Sequence, residues 1–122
     1  MTEMQRQKFT AFISTYLTKM LTQEITDIEQ VPSLIRDAVR EDFDNRDKFV
    51  PVYVSQYEAG IIDEIPILLR EQGMELIRVT RQSNVNRYIA KVVDGEIDIN
   101  DIPSDLREEV RLEVENMIGK KL

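Results

Sequence analysis

The chain has 122 residues, 42% of them apolar and 32% charged, which is enough for one buried core and far from the composition of disorder. Its 23 acidic residues against 16 basic ones give a net charge of −7, excluding a broad, sequence-independent grip on a phosphate backbone. With no cysteine and no histidine, disulfides, thiolate nucleophiles, Cys- or His-ligated metal sites and a histidine general base are all excluded.

The amino-terminal stretch is apolar only at intervals and carries Glu3, Arg6, Lys8 and Lys19, unlike a signal peptide. No window approaches the roughly 20 apolar residues that span a bilayer, so the expected compartment is the cytoplasm, of a cell or of a phage host, with no membrane partner. Phe9, Phe12, Ile13, Tyr16, Leu17, Met20 and Leu21 recur with helical period, predicting a helix from about Thr2 to Glu24 opened by a Thr2–Gln5 capping box. The period restarts at Leu34, Ile35, Ala38, Val39 and Phe43, with Pro32 tolerated in the first turn. This second helix runs to about Asp47 and carries Asp37, Glu41, Asp42 and Asp44 on its expected outer face.

Val50, Val52 and Val54 alternate like a strand, while Pro51 and Gly60 punctuate the segment like a short helix, which is the preferred reading. Asp63 can cap a helix with Pro66 in its first turn and Gly73 at its end. Met74 to Val79 lacks a clean helical face and reads as an extended connector. From Thr80, Val85, Tyr88, Ile89 and Val92 share one helical face until Asp94 and Gly95 stop it. Ile97 and Ile99 then lay a short extended piece over the core. A final helix begins near Pro103, carries Leu106, Val110, Val114, Met117 and Ile118, and ends at Gly119. The expected fold is mostly α: a compact single-domain bundle of four to five helices over residues 1–122. Helix one and helix four or five form its main core, and a short extended or two-stranded element is allowed near 50–54 or 74–79. No internal repeat, low-complexity tract or interdomain linker stands out.

The chemical inventory is sparse. Four glycines form neither of the phosphate-binding loop patterns, and adjacent carboxylates such as Asp63 and Glu64, or Glu108 and Glu109, diverge around a helix instead of converging on one atom. Asp94, Glu96, Asp98 and Asn100 alternate as in a calcium loop, but Ile99 stands where the turn needs glycine and Asp105 where it needs a bidentate Glu. The expectation is no enzyme, no cofactor and no metal.

Residues 77–93 carry Arg78, Arg81, Arg87 and Lys91 without one acid. The segment RVTRQSNVNRYIAKVV resembles the turn and recognition helix of helix-turn-helix proteins. That resemblance implies Asn84, Arg87 and Lys91 at base edges or phosphates, with Arg78 and Arg81 on the flanking backbone. The competing explanation is charge pairing, since residues 25–49, 50–76 and 94–122 each sum to a negative charge. The expected function is a non-enzymatic protein–protein interaction module, a small adaptor or a subunit of a multiprotein or homo-oligomeric assembly, using Arg78, Arg81, Asn84, Arg87 and Lys91 or the acidic faces. Tyr53 and Tyr57 are further candidate contacts. Small phage-encoded proteins share this composition. A DNA-binding regulator ranks second and an acidic inhibitor of a nucleic-acid-binding protein third.

Overall fold

A computed structural model describes all 122 residues. It holds α1 (Glu3–Leu21), α2 (Ser33–Asp44), α3 (Val50–Glu58), α4 (Arg70–Val93) and α5 (Ser104–Ile118), with 3-10 turns at Ile28–Gln30, Arg46–Phe49, Ile67–Leu69 and Ile99–Asp101, and no strand. The fold is therefore an all-α one of five helices, as expected. No helix is long and apolar enough to cross a membrane. The chain divides into two compact units, Met1–Leu76 and Ile77–Leu122.

In the first unit, Thr2 and Gln5 form the capping box that starts α1. Ile13 and Met20 of α1 join Val31, Ile35, Ala38 and Val39 in one buried cluster, so α1 finds its core partner in α2. In the second unit, Val85 of α4 packs with Ile102, Leu106, Val110 and Val114 around α5.

The preferred helical reading of residues 50–54 holds and the strand allowed there does not form, while the readings of 73–79 and of Ile97 to Ile99 fail for local physical reasons. Val50, Tyr53 and Val54 are buried while Val52 is 50% exposed, a period of 3.6 and not 2, so residues 50–54 are helical. Gly73 does not end a helix, and Met74 to Val79 is not extended: all lie inside α4. A Cβ on Gly73 would stand 2.8 Å from Ile65 Cδ1 and 3.3 Å from Val54 Cγ2, so the glycine is there for close approach, and the helix runs through it. Ile97 and Ile99 do pack on the second core, but Ile99 opens a 3-10 turn instead of an extended piece.

The chain also repeats itself three times, contrary to the sequence reading. Each copy opens with an aliphatic residue, two variable positions, a tyrosine and a second aliphatic: Ile13-x-x-Tyr16-Leu17, Val50-x-x-Tyr53-Val54, Val85-x-x-Tyr88-Ile89. Seven residues after each tyrosine stands a left-handed residue, Gln23 at φ 63°, Gly60 at 75° and Gly95 at 75°. The N–H of each is donated to the carbonyl four residues after the tyrosine, on Met20, Tyr57 and Val92.

Each copy then closes on a corner, Val31-Pro32, Ile65-Pro66 or Ile102-Pro103. The prolines share one conformation, with φ between −48° and −51° and ψ between 135° and 137°. Three residues after each proline come Ile35, Leu69 and Leu106, all buried, followed by Arg36, Arg70 and Arg107. Each arginine folds back to donate from Nε and Nη2 to the carbonyl oxygen five residues earlier, at distances between 2.9 and 3.3 Å. Val39, Gly73 and Val110 occupy the next buried position. The first two copies lie in the first unit; the third lies in the second. The second helix of copy two and the first helix of copy three are one continuous α4, which accounts for its 24 residues against 12 in α2 and 15 in α5.

Candidate interaction surface

Because α4 is continuous, its basic residues are distributed by helical geometry. Arg78 and Arg87, nine positions apart, fall on opposite sides of a helix that turns about 100° per residue. Arg81 faces α5: its Nη2 donates to the Asp105 carbonyl oxygen and to Glu109 Oε2, both at 3.0 Å. Arg87 is exposed and lies over the Tyr88 ring at 5.3 Å, while Asn84 and Lys91 are half-buried. The five candidates thus do not form one face. Val85, Tyr88, Ile89 and Val92 point into the core as the period predicts. The turn that the helix-turn-helix resemblance requires is absent, since residues 70–93 are helical throughout.

The carboxylates flanking α4 are used locally. In the calcium-like stretch, Asp98 Oδ1 accepts from the Asn100 N–H and Asp101 Oδ2 from the Asp98 N–H, each at 2.9 Å, so both cap a 3-10 turn. Asp27 and Gln30 cap the equivalent turn of copy one in the same way. No group of three or more acidic residues is placed to hold a metal ion.

The first unit holds a groove of about 260 Å³ between α1, α2 and α3, lined among others by Arg6, Thr18, Asp42, Phe49, Val52 and Tyr53. At its edge is the one buried charged side chain, Asp42, 5% exposed. Its Oδ1 accepts a short hydrogen bond from Arg6 Nη2 and lies 3.8 Å from Lys48 Nζ, and Arg6 also reaches Glu41 at 3.6 Å. Thr18 and Tyr53 share a hydrogen bond of 2.8 Å. Burial pushes the Tyr53 hydroxyl above its ordinary pKa of 10.0, partly offset by the bond to Thr18. Every buried side-chain polar atom has a partner, so no buried donor or acceptor at the groove is left unsatisfied.

The sequence reading placed Asp42 on the outer face of helix two, and the structure corrects this. The signal was available: Asp42 stands seven residues after Ile35 and shares its face with Ala38 and Val39. No protein-family model, curated protein or solved structure matches this chain.

Proposed function

We propose that the protein is a non-enzymatic protein-binding module, a small adaptor or assembly subunit, built on helix–corner–helix repeats. The threefold repeat is the observation that carries this reading. The positions common to the copies are mostly buried, half-buried or committed to backbone hydrogen bonds, so they serve the scaffold. The exposed positions between them differ: Thr15, Val52 and Arg87 precede the three tyrosines, and Leu34, Leu68 and Asp105 follow the corner prolines by two. A constant interior with a varied exterior is how repeat scaffolds carry binding surfaces. Exposed Phe12, Leu34 and Ile61, at 60, 67 and 72%, add apolar contact area of the kind partners bury.

The test is affinity capture from the native source alongside light scattering. The module should retain a partner in fixed proportion, or copies of itself, and replacing Phe12 and Leu34 with serine should reduce that retention without loss of helicity. A monomer that retains nothing beyond a matched acidic control sinks the reading.

A further inference from the structure

The corner of copy two departs from its two counterparts at the surface. Directly after the proline, copies one and three carry Ser33 and Ser104, whereas copy two carries Ile67, 49% exposed; at the next position Leu68, 37% exposed, matches Leu34 of copy one where copy three has Asp105. Ile61, 72% exposed, stands just before the same corner. Ile65 follows left-handed Gly60 by only five positions, and the Asp-capped 3-10 turn of the other copies is missing here. Copy three builds the same corner with Ser and Asp, so the fold does not call for Ile67 and Leu68. Exposed Glu58, Asp63, Glu64 and Glu71 flank them in sequence, and the guanidinium of Arg70 is engaged by Ile65 O and Glu64.

Such a surface takes a partner that is smooth and cationic, and the chain itself has one. On the outer side of α4, Val79, Ser83, Arg87, Ala90 and Lys91 lie on neighbouring rows of the helix. Arg87 and Lys91 have no carboxylate in salt-bridge range, and no acid occurs between Glu75 and Asp94. We infer that the copy-two corner, Ile61 with Ile67 and Leu68, docks the basic outer face of α4 from a second copy of this chain. This rests on the protein-binding reading and names its partner. Two different surfaces meet, so a docked pair keeps one of each kind free, and the contact propagates or closes into a ring. The apolar residues supply the contact, while the charges set register and make it salt-dependent.

Light scattering over a concentration series tests it. At low salt the mass should exceed the 14.3 kDa monomer and rise with concentration, and it should fall back at high salt. Ile67→Ser with Leu68→Asp installs the residues of copy three and so leaves the corner foldable; Arg87→Glu with Lys91→Glu reverses the other face. Each double variant alone should be monomeric with unchanged helicity. Their equimolar mixture should give a dimer and nothing larger, because only one intact surface of each kind remains. A wild-type monomer at every concentration and salt overturns the inference, as does a mixture that stays monomeric or a variant that associates like wild type. Partner capture by a monomer would still uphold the module reading.

Discussion

Arg36 donates from both Nε and Nη2 to the carbonyl oxygen of Val31, at 3.1 and 2.9 Å. That carbonyl belongs to a buried residue just outside the helix, before a proline that offers no side-chain cap. The guanidinium fork supplies two donors to one oxygen, which an ammonium on a flexible stem does not match. Arg36→Ala or Arg107→Ala should lower stability by about 1–3 kcal/mol in urea unfolding. Arg36→Lys should recover little of that loss, and full recovery would show that charge and not the fork matters.

Gly73 sits where copies one and three carry Val39 and Val110. Gly73→Ala gains helix propensity of about 1 kcal/mol but brings a Cβ to 2.8 Å from Ile65 Cδ1, an overpacking that costs about 1–3 kcal/mol. The net effect should be destabilising. In an Ile65→Val background, which removes Cδ1, the same alanine should be tolerated, and a double-mutant cycle reads the coupling. Additive effects would show that this contact is not why the glycine is there.

Gln23 holds a left-handed φ of 63° where the other copies use glycine. A non-glycine residue there bears strain of about 1 kcal/mol. Gln23→Gly should therefore raise the melting temperature, whereas Gly60→Gln and Gly95→Gln should lower it; the three melts together check the repeat register.

Asp42 and Arg6 join α2 to α1. Removing one member of a buried pair leaves the other uncompensated. Because Arg6 is 29% exposed, the low end applies, and Arg6→Ala should cost about 3 kcal/mol. Arg6→Ala with Asp42→Ala should cost less than the sum of the single changes, as measured by chemical denaturation.

Burial raises the Tyr53 hydroxyl above 10.0, so the folded state holds its proton more tightly than the unfolded chain. The sign follows from linkage: this contribution is fully present below pH 10.0 and is lost as the pH rises through the folded-state value. Stability should fall on the alkaline side, and Tyr53→Phe should flatten that part of the profile. With no histidine, no side chain of ordinary pKa titrates between about pH 6 and 8, and the melting temperature should hardly move there.

Helical period and caps made α1, α2 and α5 legible, because Thr2, Pro32, Pro103 and Gly119 punctuate them locally. The interior of α4 was not. Gly73 looks like a stop in isolation, and only Ile65 and Val54, which the fold brings to it, give it a different meaning. The repeat is faint in the sequence because Ile, Val and Leu exchange freely at its buried positions and the interval from left-handed residue to corner varies. For the candidate surface, period alone sorted Val85, Tyr88, Ile89 and Val92 inward. That Arg81 would be claimed by Glu109 depended on where α5 packs.

The three copies keep the left-handed residue seven positions after the tyrosine but set the aliphatic residue of the corner eight, five or seven positions after that turn. Evolution has thus already performed the insertion and deletion series. An epitope or fluorophore sequence placed between Gly95 and Asp98 would enter where length is free to drift, while a single residue added between Tyr88 and Gly95 would put the turn out of step with the core.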